Sequence, residues 1–182
     1  MTWSATICRP RPPWPPPATC CAPCCWTRPG RPGAVLTQLD RALETVTDNP
    51  VTTTTLARIE PEGAGWRLLW STAGHVPPLV ITHDRRAAYL LAEPGLPLGV
   101  DTAQPRPDHS RPLPPDATVV FFTDGLIEHP GHSIDESLNQ LAELAAAHAS
   151  LSLPDFVRTL ADRHPSDGHD DMAILALRTP SV

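Results

Sequence analysis

The spacing of apolar positions predicts helices and strands from residue 34 onward. The stretch AVLTQLDRALETV places apolar residues at helical spacing, so that one stripe contains Val35, Leu36, Leu39, Leu43 and Val46. The later segments SIDESLNQLAELAAAHA and LPDFVRTLADR have the same period. The first of them begins with a serine followed three residues later by a glutamate, which is typical of a capped helix start.

Other segments have the pattern of strands. VTTTTLARIE is rich in β-branched residues, and WRLLWSTAG and PPLVITH follow it with AGHVPP as the turn between them. Tyr89, Leu90 and Leu91 predict a short strand, whereas ATVVFFTDG and MAILALR predict buried ones. Several antiparallel-looking strands, with helices grouped late in the chain, favour an α+β layered fold.

Length and charge limit the classes of function. The 182 residues suit about one domain, and the net charge of −6 argues against binding to nucleic acid. No stretch approaches the roughly 20 apolar residues that a membrane span needs, and the start of the chain lacks the apolar segment of a signal peptide. We therefore expect a soluble, cytoplasmic protein with no membrane partner.

The composition changes sharply near residue 34. Residues 1–33 contain all five cysteines and nine prolines, whereas the rest of the chain has no cysteine. The pairs in CCAPCC would suit a zinc site made of thiolates, but adjacent cysteines among prolines form no periodic apolar face. We expect residues 1–33 to be disordered and residues 34–182 to form the domain.

The candidate chemistry lies in carboxylates at strand ends. Asp124 follows the apolar run VVFF and precedes Gly125, which allows the backbone to turn away tightly. Asp170 and Asp171 stand immediately before MAILALR. If these two strands are neighbours in a sheet, the carboxylates converge, and Mg²⁺ or Mn²⁺ would relieve their repulsion. Each feature alone is also typical of an ordinary turn or solvated loop.

Four motifs occur in one order: STAGHVPPLVI, GLPLGV, LPPDATVVFFTDGLIE and GHDDMAILALR. This order resembles the C-terminal half of the SpoIIE-type metal-dependent protein phosphatases of the PPM superfamily, over roughly residues 34 to 179. The resemblance implies a truncated αββα sandwich of two mostly antiparallel sheets flanked by helices. It also implies a bacterial signalling enzyme that hydrolyses phosphoserine or phosphothreonine.

The resemblance further implies the metal ligands. Asp124 and Asp170 match the metal-binding aspartates of the family, whose complete site holds two Mn²⁺ or Mg²⁺ ions. These ions activate a water, so no side chain is expected to act as the nucleophile. Gly125, Glu128 and Asp171 could bind metal or the water around it, or could face solvent.

Two further residues match a motif near the family's site. Gly74 and His75 correspond to its A-G-H turn, for which we expect a turn or packing role rather than metal ligation. The implied partner is a phosphorylated protein, such as an anti-sigma-factor antagonist in partner switching. The alternatives are a catalytically impaired remnant that only binds a partner protein, or an unrelated α+β binding module.

One departure from the family lies at the start of the chain. The family has an upstream D-x-x-G-H/x-G element, which residues 1–33 lack. The last base of the Met1 codon with the first two of Thr2 encodes aspartate, and the following junctions permit D-V-V-G-H. We therefore expect residues 1–33 to be out of frame, and the chain to be a weak phosphatase. Its unpaired sheet edges would be prone to self-association.

Overall fold

The computed structural model describes the backbone of residues 3–7 and, in full, residues 30–45, 51–128, 131, 133–163 and 172–181. These residues belong to two compact units. One comprises Met1–Pro10, Val76–Leu91 and Leu113–Val182, and the other comprises Arg11–His75 and Ala92–Pro112. In chain order, the elements are β1 (Trp3–Ile7), α1 (Pro32–Thr45), β2 (Thr54–Glu62), β3 (Gly65–Ala73), β4 (Leu79–Ile81), β5 (Ala87–Tyr89), β6 (His109–Leu113), β7 (Thr118–Phe122), a 3₁₀ turn (Asp124–Leu126), α2 (Ile134–Ala147), α3 (Leu153–Arg163) and β8 (Ala173–Arg178).

The first unit contains a five-stranded sheet with the strand order β1-β8-β7-β4-β5. All of its pairings are antiparallel. Val120 lies opposite Leu79 on one side and opposite Ala176 on the other, and Phe122 lies opposite Ile174. Because side chains alternate between the faces of a strand, these apolar residues share one face of the sheet.

Helices α2 and α3 cover this face. The buried core combines sheet residues with helix residues, among which Phe156 and Leu160 of α3 and Leu141 of α2 are fully buried. Tyr89 of β5 adds an edge-to-face contact with Phe122, at 6.4 Å between ring centroids. The apolar stripes of the two helices thus account for their place on the sheet.

The second unit contains the three-stranded sheet β2-β3-β6, in which β2 and β3 pair antiparallel. Helix α1 packs there through Leu36, which is buried against Ala73 and Leu98. The start of α1 packs closely against the segment that contains Arg106 and Asp108. Gly33 donates its backbone N–H to Asp108 Oδ1 at 2.7 Å, and a Cβ at this position would lie only 2.0 Å from the Arg106 carbonyl oxygen. Only glycine fits this approach.

The α+β class with two antiparallel sheets and helices is confirmed. Several details differ from the sequence predictions. β5 ends at Tyr89 and begins two residues earlier than predicted, and β6 was not predicted. β1 lies within residues 1–33, for which we expected disorder, and residues 8–29 of that segment lie outside the described residues. In the α1 stripe, Leu36 is buried, and Val46 lies outside the described residues. No helix in the described part of the chain is both long and apolar enough to cross a membrane.

Candidate metal centre

Asp124 lies where β7 leaves the sheet. Four of the five β7 residues are buried, and the chain then turns through the 3₁₀ helix Asp124–Leu126. Leu126 and Ile127 are buried in the core of the first unit, whereas Asp124 is exposed. The apolar residues on both sides anchor the turn, so the carboxylate is held at the surface on a rigid support.

Backbone hydrogen bonds fix this turn. The carbonyl oxygen of Asp124 accepts from the N–H groups of Ile127 and Glu128, at 2.7 and 2.9 Å. Its side-chain Oδ1 accepts from the N–H of Gly125 at 3.1 Å. No ion pair involves Asp124 within the described residues. Its negative charge therefore has no basic side chain to neutralise it in that part of the chain.

The strand before Asp124 is the direct neighbour of the strand that follows the acidic pair. β7 and β8 pair antiparallel, with Phe122 opposite Ile174. The end of β7 and the start of β8 therefore lie at the same edge of the sheet. The sequence-based condition that the two strands be neighbours is confirmed. Asp170 and Asp171 themselves lie outside the described residues.

Glu128 is exposed four residues after Asp124, at the end of the same turn. Gly125 is buried and uses its N–H for the Asp124 carboxylate. No cluster of three or more His, Cys, Asp and Glu residues able to hold a metal ion is found among the described residues. The donors that the turn does offer are hard carboxylate oxygens, which are the ligands that Mg²⁺ and Mn²⁺ prefer. The chemical type of these donors thus suits such a cation, and the ligand set itself stays a prediction.

Gly74 and His75 lie in the second unit. Gly74 has a φ of +66°, and a Cβ there would lie 2.8 Å from Pro97 Cγ. His75 Nδ1 is 3.2 Å from Thr53 Oγ1. These contacts describe a tight turn with an anchored ring, and the relation of this turn to the metal centre stays a prediction.

A buried ion pair in the second unit was not predicted from the sequence. Asp40 on α1 and Arg106 contact each other at 2.6 Å, and both side chains are almost fully buried. The position of Asp40 does indicate a buried charge, because Asp40 stands four residues after Leu36 on the apolar side of the helix. A charged residue on a buried face requires a partner.

The comparisons with known proteins give the family. The family model for stage II sporulation protein E, SpoIIE, matches residues 23–180. The chain belongs to the SpoIIE family. This membership rules out the alternative of an unrelated α+β binding module. The match begins before residue 34, at which the sequence analysis set the start of the domain.

Solved structures agree with this SpoIIE assignment. The RsbU and RsbW domains of a Mycobacterium tuberculosis protein match at 30% identity and a TM-score of 0.68, over 82% of this chain and 42% of that one. The PP2C phosphatase domain of SpoIIE from Bacillus subtilis, with a fragment of its regulatory domain, matches at 18% identity and a TM-score of 0.65, over 81% of this chain and 44% of that one. The chain thus spans less than half the length of these two relatives.

A third solved structure has a similar fold. RsbX in complex with magnesium matches at 15% identity and a TM-score of 0.56, over 80% of this chain and 64% of that one. At this identity the likeness shows the fold alone. Binding of Mn²⁺ or Mg²⁺ is typical of the SpoIIE and PPM phosphatases, and the family assignment supports hydrolase activity and bacterial signalling for this group.

Proposed function

We propose that the chain is a Mn²⁺- or Mg²⁺-dependent phosphatase domain that acts on phosphoserine or phosphothreonine in a protein. The observation that supports this most directly is the pairing of β7 with β8. It brings the strand end that bears Asp124 beside the strand start that follows Asp170 and Asp171. A phosphoryl group has several negative oxygens, so a site for it needs cations, and cations need carboxylates to hold them.

Asp124 and Asp170 would hold the metal. Glu128 and Asp171 are the nearest further carboxylates along the chain, and they would orient solvent around it. When bound, the metal supplies a nucleophilic water and neutralises charge on the phosphoryl oxygens. The residues of this chain contribute the fixed carboxylates and a turn that is anchored in the core by Leu126 and Ile127.

We also propose a substrate class for this activity, which is a protein that takes part in partner switching. Relatives with matching folds include RsbU–RsbW and RsbX structures. The corresponding substrate class is a phosphorylated regulatory protein, such as an anti-sigma-factor antagonist. Incubation with a phosphoserine peptide and with a phosphorylated antagonist, each with Mn²⁺, would test this. Release of phosphate from the protein but not from the peptide would support recognition beyond the phosphoryl group.

The basic activity can be tested on p-nitrophenyl phosphate with added Mn²⁺. We expect hydrolysis that depends on the metal and falls strongly in Asp124→Asn, with a smaller loss in Glu128→Gln. Asp84→Asn is the matched control, because Asp84 is an exposed aspartate in the β4–β5 turn, beside the opposite end of β7. Equal activity in Asp124→Asn and Asp84→Asn would contradict the assignment.

The same assay distinguishes an enzyme from a remnant that only binds a partner. A remnant would retain Mn²⁺ binding that depends on Asp124, but it would release no phosphate at any metal concentration. The weak phosphatase predicted from the sequence would lie between these two outcomes, with slow but metal-dependent release of phosphate. Self-association through sheet edges is a separate prediction, for which sedimentation of the intact chain is the measurement.

A further inference from the structure

Thr123, the residue between β7 and Asp124, uses its backbone and its side chain for two different tasks. Its carbonyl oxygen accepts from the N–H of Leu126 at 3.0 Å and so belongs to the 3₁₀ turn. In a regular antiparallel pair, this carbonyl would instead accept from the N–H of the residue opposite, which is Ala173. The N–H of Ala173, at the start of β8, instead donates to a different acceptor.

The hydroxyl of Thr123 is that acceptor. The N–H of Ala173 donates to Thr123 Oγ1 at 2.9 Å, while the N–H of Thr123 donates to the Ala173 carbonyl at 3.1 Å. The last rung of the β7–β8 ladder is thus completed by a side chain. As a result, the backbone can turn out of the sheet at Asp124 without releasing β8.

The far end of the same strand pair has an equivalent arrangement. Thr179 follows β8, donates its N–H to the Ala117 carbonyl at 2.9 Å, and accepts the Ala117 N–H on Oγ1 at 2.9 Å. Two threonines therefore close the two ends of one ladder in the same way. Only the Thr123 end is next to Asp124. Variants at the two ends therefore distinguish an effect on the sheet from an effect on the metal centre.

We propose that Thr123 is a positioning residue of the metal centre. Its hydroxyl accepts the β8 N–H while its carbonyl holds the 3₁₀ turn, so that the turn bearing Asp124 is fixed relative to the start of β8. The inference rests on the phosphatase function proposed above. Loss of residues that hold metal ligands in place typically weakens metal binding by about 10-fold to 100-fold.

The test uses the 182-residue chain and Mn²⁺ alone, with free Mn²⁺ followed by electron paramagnetic resonance during a titration. Thr123→Val keeps the shape of the side chain but removes the acceptor. Thr123→Ser keeps the acceptor. Thr179→Val removes the equivalent bond at the far end, together with the donation from the Thr179 hydroxyl to the Pro114 carbonyl. We expect Mn²⁺ affinity to fall by about 10-fold to 100-fold in Thr123→Val and to match the wild type in Thr123→Ser and Thr179→Val.

Two outcomes would overturn the inference alone. Equal weakening in Thr123→Val and Thr179→Val would mean that the hydroxyl only stabilises the sheet. Unchanged affinity in Thr123→Val, together with lost binding in Asp124→Asn, would leave the metal centre in place but remove Thr123 from it. Unchanged affinity in Asp124→Asn would instead refute the metal centre, and the inference with it.

A second variant and a second readout guard against a folding defect. Thr123→Ala removes the same acceptor with less crowding, and circular dichroism checks that each variant is folded at the titration temperature. The rise in melting temperature on adding Mn²⁺ is then compared between variants, since a ligand that binds only the folded state stabilises it. A normal rise in folded Thr123→Ala would contradict the proposal even if Thr123→Val failed to fold.

Discussion

Asp40 and Arg106 form an ion pair in which each side chain is only 1% exposed. The contact distance is 2.6 Å, and the residues are 66 positions apart in sequence. The guanidinium also donates to the carbonyl oxygens of Leu96 and Pro97, and the other Asp40 oxygen accepts the N–H of Gly99 at 2.8 Å. One buried pair therefore ties helix α1 to the GLPLGV segment.

Removal of either partner should be strongly destabilising. In Arg106→Met or Asp40→Leu the remaining charge stays buried without its partner, and we expect a loss of about 3 to 5 kcal/mol in the free energy of unfolding. The double variant should lose less than the sum of the two single losses, because no unpaired charge remains. Urea denaturation of the three variants measures this coupling.

An exposed ion pair provides the control. Arg58 and Glu60 are 2.5 Å apart, but their side chains are 42% and 36% exposed. Arg58→Met should change the free energy of unfolding by no more than about 1 kcal/mol. A loss in Arg106→Met as small as that in Arg58→Met would show that water reaches the Asp40 carboxylate.

Gly74→Ala should destabilise the second unit more than Gly63→Ala. Both glycines have a positive φ, +66° and +57°, so each alanine variant incurs the strain of a left-handed backbone, about 1 to 2 kcal/mol. A Cβ at Gly63 has no neighbour within 4 Å, whereas one at Gly74 lies 2.8 Å from Pro97 Cγ. The difference between the two melting temperatures therefore reports the clash with Pro97. Equal melting temperatures would mean that the loop containing Pro97 moves aside.

Ser133→Ala should destabilise the start of helix α2. Ser133 and Glu136 form a reciprocal cap, in which the serine hydroxyl accepts from the Glu136 N–H at 3.2 Å and the Glu136 carboxylate accepts from the Ser133 N–H at 3.0 Å. Loss of the serine should cost about 1 kcal/mol. Ser133→Asp, which retains an acceptor, should restore most of it in chemical denaturation. Failure of the aspartate to restore stability would count against the cap.

Tyr89 should make stability depend on alkaline pH. Burial raises the pKa of its phenol, whose O–H donates to the Leu138 carbonyl at 2.7 Å. The neutral form is favoured in the folded state, so this contribution is fully present below the unfolded pKa of about 10 and is lost as the pH rises above it. Tyr89 is the only tyrosine, so phenolate absorbance reports it alone. We expect that absorbance to appear above the usual pKa of a phenol, and its appearance in the folded chain near pH 10 would contradict the raised pKa.

The elements that sequence predicts well are those with a strong local pattern. The segments around Val120 and Ile174 are nearly continuous apolar runs, and the segment around Phe156 is apolar at the helical period. Each forms the predicted strand or helix. β6 has the sequence HSRPL, in which only the last residue is buried. β6 forms a strand because it pairs with β3, and its own sequence has no apolar pattern that predicts a strand.

The candidate site was predictable only in part for a similar reason. Asp124 stands beside a glycine at the end of an apolar run, and the sequence shows both features directly. The second task of Thr123 depends on Ala173, which is 50 residues away. Likewise, the partner of Asp40 is distant, and a helical stripe indicates that a charge is buried but does not say which residue neutralises it.

The strand order has a consequence for protein synthesis. β8 is the last strand of the five-stranded sheet to leave the ribosome, yet it lies between β1 and β7. Until it arrives, β1 has no neighbour, and β7 pairs on one side only. Until then a nascent chain exposes both edges of β1 and one edge of β7, and the turn that bears Asp124 lacks its neighbouring strand. Translation must pass Arg178 before β8 can cover these edges.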